Sequence, residues 1–174
     1  AELNKAGENI DVIIHRAGLA HTANLSDEEL QIANGSNTKL LLSAGVKQKV
    51  SRFILMSSSL ASTVDDCEHA LTSYGNSKLA AERLVLAEDR VGSLDGVILR
   101  PVNVYGHGMR GNIPVLVSLI YRRIAPPLPR LESRISLVSV DDVSEAALLA
   151  VESERAKGQT YLLTDGQEYQ INDI

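Results

Sequence analysis

The sequence predicts an α/β fold built on a doubly wound parallel sheet. Three observations predict it. Short β-branched runs alternate with helix-like stretches along the whole chain. The runs are apolar throughout rather than at every second residue, as in strands covered on both faces. Strands that are separated by helices are joined by right-handed crossovers, which place helices on both sides of the sheet. The 174 residues correspond to one domain, two at most.

The elements follow in order. Ile10 to His15 (I-D-V-I-I-H) reads as a buried parallel strand. Ser26-x-x-Glu29 reads as a capping box, opening a helix to about Ala44 that Gly45 stops. Val50 to Met56 is a second buried strand, followed by a polar loop from Ser57 to about Ala70. Thr72 to Asp89, rich in Ala, Leu, Glu and Lys, is a strong helix. Gly96 to Leu99 is a third strand, ended by Arg100-Pro101, and a glycine-rich loop runs from Tyr105 to Gly111. Ile113 to Ile124 is apolar and helical in pattern. Pro126, Pro127 and Pro129 then enforce an extended connection. Ile135 to Val140 reads as a strand, Asp141 or Asp142 caps a helix to about Ser153, and Thr160 to Leu163 is a short strand. Tyr169 to Ile174 reads as the start of another helix. No internal repeat or low-complexity segment interrupts this order.

Composition narrows the function. Hydrophobic residues at 44% and charged residues at 22% suit a globular chain, not a disordered one. A net charge of -5 gives no footprint for nucleic acid or anionic membrane. No apolar run reaches the ~18 residues of a spanning helix. The first residues, Ala1 to Lys5, carry no secretory signal pattern. A lone Cys67 excludes an internal disulfide and fits a reducing, cytoplasmic compartment. The four His and one Cys show no metal-ligand spacing, so no metal is expected.

In a doubly wound sheet, sites lie at the carboxyl ends of the strands. After the second strand comes Ser57-Ser58-Ser59, and fifteen positions beyond Ser59 comes Tyr74, with Lys78 four residues later. Tyr74 and Lys78 share one helix face. A phenol titrates near 10, too high for work at neutral pH, and a nearby ammonium lowers it. A Ser hydroxyl hydrogen-bonds an alcohol or carbonyl oxygen beside the phenol. Together they can move a proton on an alcohol while hydride leaves its carbon. A Tyr-x-x-x-Lys pair or a Ser cluster alone is common in structural roles; the ordered set is much more specific.

At this point the sequence resembles the extended short-chain dehydrogenase/reductase family, in its NAD-dependent epimerase/dehydratase (nucleotide-sugar epimerase) branch. Asp11-Val-Ile-Ile-His15-Arg-Ala-Gly18 resembles the segment after that family's fourth strand. Asn34 with Thr38, Leu41 and Leu42 resembles its Asn-x-x-x-Thr-x-x-Leu-Leu helix. Arg52-Phe-Ile-Leu-Met-Ser-Ser-Ser59 resembles the strand carrying the catalytic Ser, and Tyr74-Gly-Asn-Ser-Lys78-Leu-Ala-Ala-Glu82 the catalytic helix. Leu99-Arg-Pro-Val-Asn103-Val-Tyr-Gly106 and Ser136-Leu-Val-Ser-Val-Asp-Asp-Val143 resemble the substrate-side strand and a late strand with its helix start.

The resemblance implies a Rossmann-like NAD(P)-binding sheet, incomplete at the N-terminus, with part of a small C-terminal substrate region. It implies NAD, with NADP left open, a nucleotide-sugar substrate, and a homodimer formed through two helices, one carrying Tyr74. That helix's apolar stripe (Leu79, Leu84, Val85) is equally an ordinary core face. Residues 1–105 would hold the later part of the dinucleotide-binding domain, and 106–174 the substrate-side segments and returning sheet elements. Tyr74 would be the general acid/base, Lys78 would lower its pKa and bind the nicotinamide ribose, and Ser59 would orient the reacting oxygen. His15, Ala17, Gly18, Ser57 and Pro101 would line the cofactor with Tyr74 and Lys78. Asn103 and Asn112 would contact the substrate diphosphate, and Arg134 the nucleotide.

The departures are specific. Arg16 replaces an apolar residue, Asn37 a Gly, and His107 a Pro, while Arg134 stands one position before the family's nucleotide-binding Arg, where Ile135 falls. Leu60 and Ala61 follow Ser59 where dehydratases carry Asp-Glu, which disfavours dehydration. Asp65, Asp66 and Glu68 read as a solvated loop. No Gly-x-x-Gly-x-x-Gly occurs, so the loop that seats the cofactor pyrophosphate is lacking from these residues. Two functions therefore stand: an epimerase or reductase, and a catalytically silent truncated Rossmann chain with a binding or partner role.

Overall fold

Strand β1 (Val12–His15) pairs in parallel with β2 (Arg52–Met56), which pairs in parallel with β3 (Asp95–Pro101). The computed structural model describes residues 10–19, 26–62, 72–109, 112–124 and 134–170, and side chains within 112–116 only at 115. The Cys67, Asp65, Asp66, Glu68, Gly111 and Pro126–Pro129 readings lie outside the described residues. Strand β6 (Thr160–Leu163) joins β3 in parallel, giving the order β1-β2-β3-β6. The parallel, helix-separated sheet expected from the sequence is therefore present.

Both faces of the inner strands β2 and β3 are covered, which is why they carry no polar alternation, while Ile14 of β1 and Leu162 of β6 at the edges are exposed. Phe53, Leu55 and Ile98 pack with Leu42, Ala81, Val85 and Leu94 on one face. Ile54, Val97 and Leu99 pack with Ala147, Ala150 and Ala156 on the other. Each fully buried large side chain contributes ~1.5–3 kcal/mol by leaving water. The first face is covered by helices α2 (Asn37–Lys47) and α3 (Ser73–Arg90), the second by α5 (Val140–Glu152).

The capping box forms: the Glu29 N–H donates to Ser26 Oγ at 3.2 Å and the Ser26 N–H to Glu29 Oε2 at 2.8 Å. The helix it opens is not uniform. Helix α1 (Asp27–Leu30) passes into a π-helical stretch (Gln31–Ser36) before α2. Gly45 does not end it. The helix runs on to Lys47, and Gly45 lies inward, where an added Cβ would sit 3.1 Å from Ile13. It serves close helix–strand packing rather than termination. Arg52 is buried beneath α5, donating to the carbonyls of Ala150, Val151 and Ser153 at 2.8–3.0 Å, which satisfies that helix's free end.

A second, three-stranded sheet has the order β4-β5-β7. Strand β5 (Arg134–Ser139) pairs in parallel with β4 (Asn103–Tyr105) and antiparallel with β7 (Glu168–Gln170). Two expectations are corrected here. Residues 168–170 form a strand, not a helix start, because pairing with β5 sets Ile135 opposite Tyr169; residues 171–174 lie outside the described set. Helix α5 is capped by Ser139, whose hydroxyl accepts from the Asp142 N–H at 3.0 Å, not by Asp141 or Asp142. Those two acids occupy the first turn, where the helix dipole favours them. Helix α4 (Asn112–Tyr121) ends three residues before Ile124. Among the described residues no helix is long and apolar enough to cross a membrane.

Candidate active site

Tyr74 sits in the first turn of α3, whose N-terminus is fixed by Thr72: its hydroxyl accepts from the Gly75 N–H at 3.1 Å. Gly75 is pressed against the turn that follows β2. A Cβ there would lie 2.3 Å from the Leu60 carbonyl oxygen, which no side chain allows. This contact brings the serine loop onto α3, beside Tyr74. Ser58 hydrogen-bonds the Tyr74 phenol. Ser59 opens a 3-10 turn (Ser59–Ala61), which Ser58 caps by accepting from the Leu60 N–H at 3.2 Å. Three adjacent serines gave no sign of which one the chain would turn on.

Lys78 lies one helical turn further along the same face and is buried. Its ammonium donates to the Met56 carbonyl at 3.1 Å. Burial pushes its pKa down, and the Glu82 carboxylate pulls it back up. Burial also pushes the Tyr74 phenol up, and the opposing pull comes from the Ser58 hydrogen bond. Lys78 holds the Met56 carbonyl, and the Ser58 hydroxyl pulls the phenol down against its burial.

The end of β1 meets this pair. Gly18 approaches so closely that a Cβ would lie 2.5 Å from Asn34 Oδ1 and 3.1 Å from Lys78 Nζ. Ala17 and Gly18 are exposed, so bare backbone faces the lysine at the carboxyl end of the sheet. Asn34 fixes that backbone. Its side chain accepts from the Leu19 N–H at 3.0 Å and donates to the Leu19 carbonyl at 3.2 Å and to Ser77 Oγ at 2.9 Å. Ser77 in turn donates to the Tyr74 carbonyl at 2.8 Å. His15 is buried, its Nε2 2.9 Å from Thr38 Oγ1 and its ring edge-on to Phe53. Thr38 donates to the Asn34 carbonyl at 2.6 Å, so the His15 nitrogen is the donor to Thr38. Burial, with Lys78 nearby, lowers the His15 pKa and keeps the ring neutral.

Sequence reasoning passed over Ser58, Ser77, and the pair Glu82–Arg100. A signal for Glu82 existed: a carboxylate four residues past Lys78, on the helix face that also carries Ala81 and Val85. The remaining expected residues separate. Ser57 is buried beside Tyr74's loop, and Pro101 ends β3 opposite Leu163. Asn103 lies in the second sheet, donating to the Ser136 carbonyl at 3.2 Å. Arg134 pairs with Glu168 at 3.2 Å, both exposed. Asn112 opens α4, and its side chain lies outside the described set. Among the described residues no three His, Cys, Asp or Glu cluster as metal ligands.

A bare glycine backbone against a buried lysine, beside a hydroxyl-paired phenol, is an arrangement that fits a nicotinamide and its ribose. Known proteins are similar to this chain in sequence and fold. A UDP-glucose 4-epimerase from Vibrio cholerae is 28% identical over 176 residues, 92% of this chain and 54% of its own length. A 3 beta-hydroxysteroid dehydrogenase/Delta 5-->4-isomerase from Mycobacterium tuberculosis is 26% identical over 93% of this chain and 50% of its own. The chain thus spans about half the length of these relatives. The structure of MoeE5 in complex with UDP-glucuronic acid and NAD superimposes with a TM-score of 0.84 at 27% identity, covering 99% of this chain and 62% of that one. The sequence profile of the NAD dependent epimerase/dehydratase family matches residues 1–164. The chain therefore belongs to the NAD dependent epimerase/dehydratase family.

Proposed function

We propose that the protein is an NAD-dependent epimerase or reductase acting on a nucleotide-diphosphate sugar, in the manner of a UDP-glucose 4-epimerase. One observation carries this reading: the Tyr74 phenol, the Ser58 hydroxyl and the buried Lys78 ammonium meet at the carboxyl ends of β1 and β2. The UDP-sugar and NAD complex of a structural neighbour supports the substrate and cofactor classes. NAD, when bound, supplies a reversible acceptor for hydride from a sugar carbon.

The chain's own residues do the rest. Tyr74 takes the hydroxyl proton as the alcohol becomes a ketone and returns it on reduction. Ser58 donates to the phenolic oxygen, which favours the phenolate, and Ser59 beside it orients the reacting oxygen. Lys78 and the Ala17–Gly18 backbone hold the nicotinamide ribose, with His15, Ser57 and Pro101 around them. Asn103, Asn112 and Arg134 would contact the substrate's diphosphate and nucleotide. Residues 1–105 carry the cofactor side and 106–174 the substrate side.

The test is turnover of UDP-glucose with NAD by the native-length protein, followed as formation of the 4-epimer. Tyr74→Phe is expected to lower kcat by about 100-fold or more. Equal activity in both, or none in either, overturns the enzyme reading. The outcome without activity favours a silent binding chain. Turnover of a 3 beta-hydroxysteroid in place of UDP-glucose would keep the chemistry and overturn the sugar.

A further inference from the structure

Behind the reacting face lies a buried ionic pair that the mechanism above does not use. Glu82, on α3, is 1% exposed and sits one turn beyond Lys78. Arg100, on β3, grips it with both prongs: Nε to Oε1 at 2.9 Å and Nη2 to Oε2 at 2.5 Å. A bidentate fork of this kind fixes the carboxylate in the plane of the guanidinium. Such a pair is costly to bury, so its presence in a core asks for a role.

Among the described residues, its other side-chain hydrogen bonds fall on one segment. The Ser57 hydroxyl donates to Glu82 Oε1 in a very short bond. The third guanidinium nitrogen, Nη1, donates to Ser62 Oγ at 3.3 Å. The loop between them is also tied at its root, where the Ser57 N–H donates to the Leu99 carbonyl at 2.7 Å and Lys78 holds the Met56 carbonyl. Ser58, the partner of Tyr74, lies inside this clamp. The chain from Ser57 to Ser62 is thus held at both ends by one ion pair spanning α3 and β3.

We propose that Glu82, locked by Arg100, is the positioning residue that holds Ser58 against Tyr74, acting through Ser57. The catalytic meaning of this rests on the functional reading above; the geometry does not. The same carboxylate also supports the charge of Lys78, so one buried group serves both partners of the phenol. The groups around Tyr74 and Lys78 are Ser58 from the loop, His15 from β1, and Glu82 from their own helix, with Arg100 behind it on β3.

The experiment follows the Tyr74 phenol directly, by 13C NMR titration of tyrosine-labelled, native-length protein. Ser57→Ala leaves the Glu82–Arg100 pair and its Ser62 contact whole and cuts only its link to the start of the loop, beside Ser58. It is expected to raise the Tyr74 pKa by about one unit, the size of one lost hydrogen bond to a charged form. Ser57→Thr, which keeps the hydroxyl, is expected to restore the wild-type value. Glu82→Ala is expected to raise it as well; should that variant not fold, Ser57→Ala decides. A Tyr74 titration unmoved by Ser57→Ala, with or without a lower Tm, reduces the clamp to scaffolding and overturns the proposal. Absence of sugar-nucleotide turnover in the wild type would overturn the functional reading while leaving this titration decisive for its own question.

Discussion

The two sheets of this molecule hold their candidate residues in opposite ways. In the four-stranded sheet, β2 and β3 are buried along nearly their whole length, and the residues at their ends are locked by buried hydrogen bonds. In the three-stranded sheet, β4 and β7 are exposed at two residues of three, and only Val138 of β5 is fully buried. Asn103 and Arg134, expected at the substrate, are held there by one exposed contact each. The difference teaches where precision resides. The proposed proton transfer needs groups fixed to fractions of an ångström, which the buried sheet can supply. The substrate contacts proposed for Asn103 and Arg134 fall on the more open sheet, where specificity can vary on a constant scaffold.

The comparison can be broken most forcefully in the core. Phe53→Ala, at a completely buried site, is expected to cost ~4 kcal/mol, against ~1.5 kcal/mol or less for Ile135→Ala in the second sheet. Urea unfolding of both variants checks this, and equal costs would dissolve the contrast. Next comes the contact between loop and helix. Gly75→Ala forces the Leu60 carbonyl away from α3 and is expected to cost ~2 kcal/mol, with Tyr74 parted from Ser58. A crystal structure of that variant with the Ser58–Tyr74 bond intact would contradict the account.

A gentler probe is pH. His15 has its folded pKa lowered by burial, so the folded state resists the proton that the unfolded chain accepts. Its contribution to stability is complete above the unfolded value of ~6.5 and is lost as pH falls below it. Thermal melts between pH 7.5 and 5.5 should show a fall in Tm that His15→Gln, which keeps a donor toward Thr38, does not show. The smallest effect is expected at Arg134→Ala. Its ion pair with Glu168 is open to solvent on both sides, so melting should change by the equivalent of ~0.5 kcal/mol or less. A larger loss would mean that the second sheet is more tightly built than its exposure indicates.

The sequence by itself determined the parallel sheet, its helix-covered faces and the catalytic helix. Those follow from local causes: β-branched runs, the Ser26–Glu29 box, and the Ala, Leu, Glu and Lys content after Thr72. It also placed Tyr74 and Lys78 on one helix face, because helical spacing is fixed by backbone geometry. What only the tertiary structure decided depends on contacts between distant segments. Residues 168–170 became a strand because β5 offered an edge to pair with. Gly45 became a packing surface because β1 lies beneath it. Ser58 reached the phenol because the chain turns there under Gly75, and Glu82 was locked by an arginine eighteen residues away. Short-range propensity carries no record of such neighbours, since the energies that select them arise only when the segments meet.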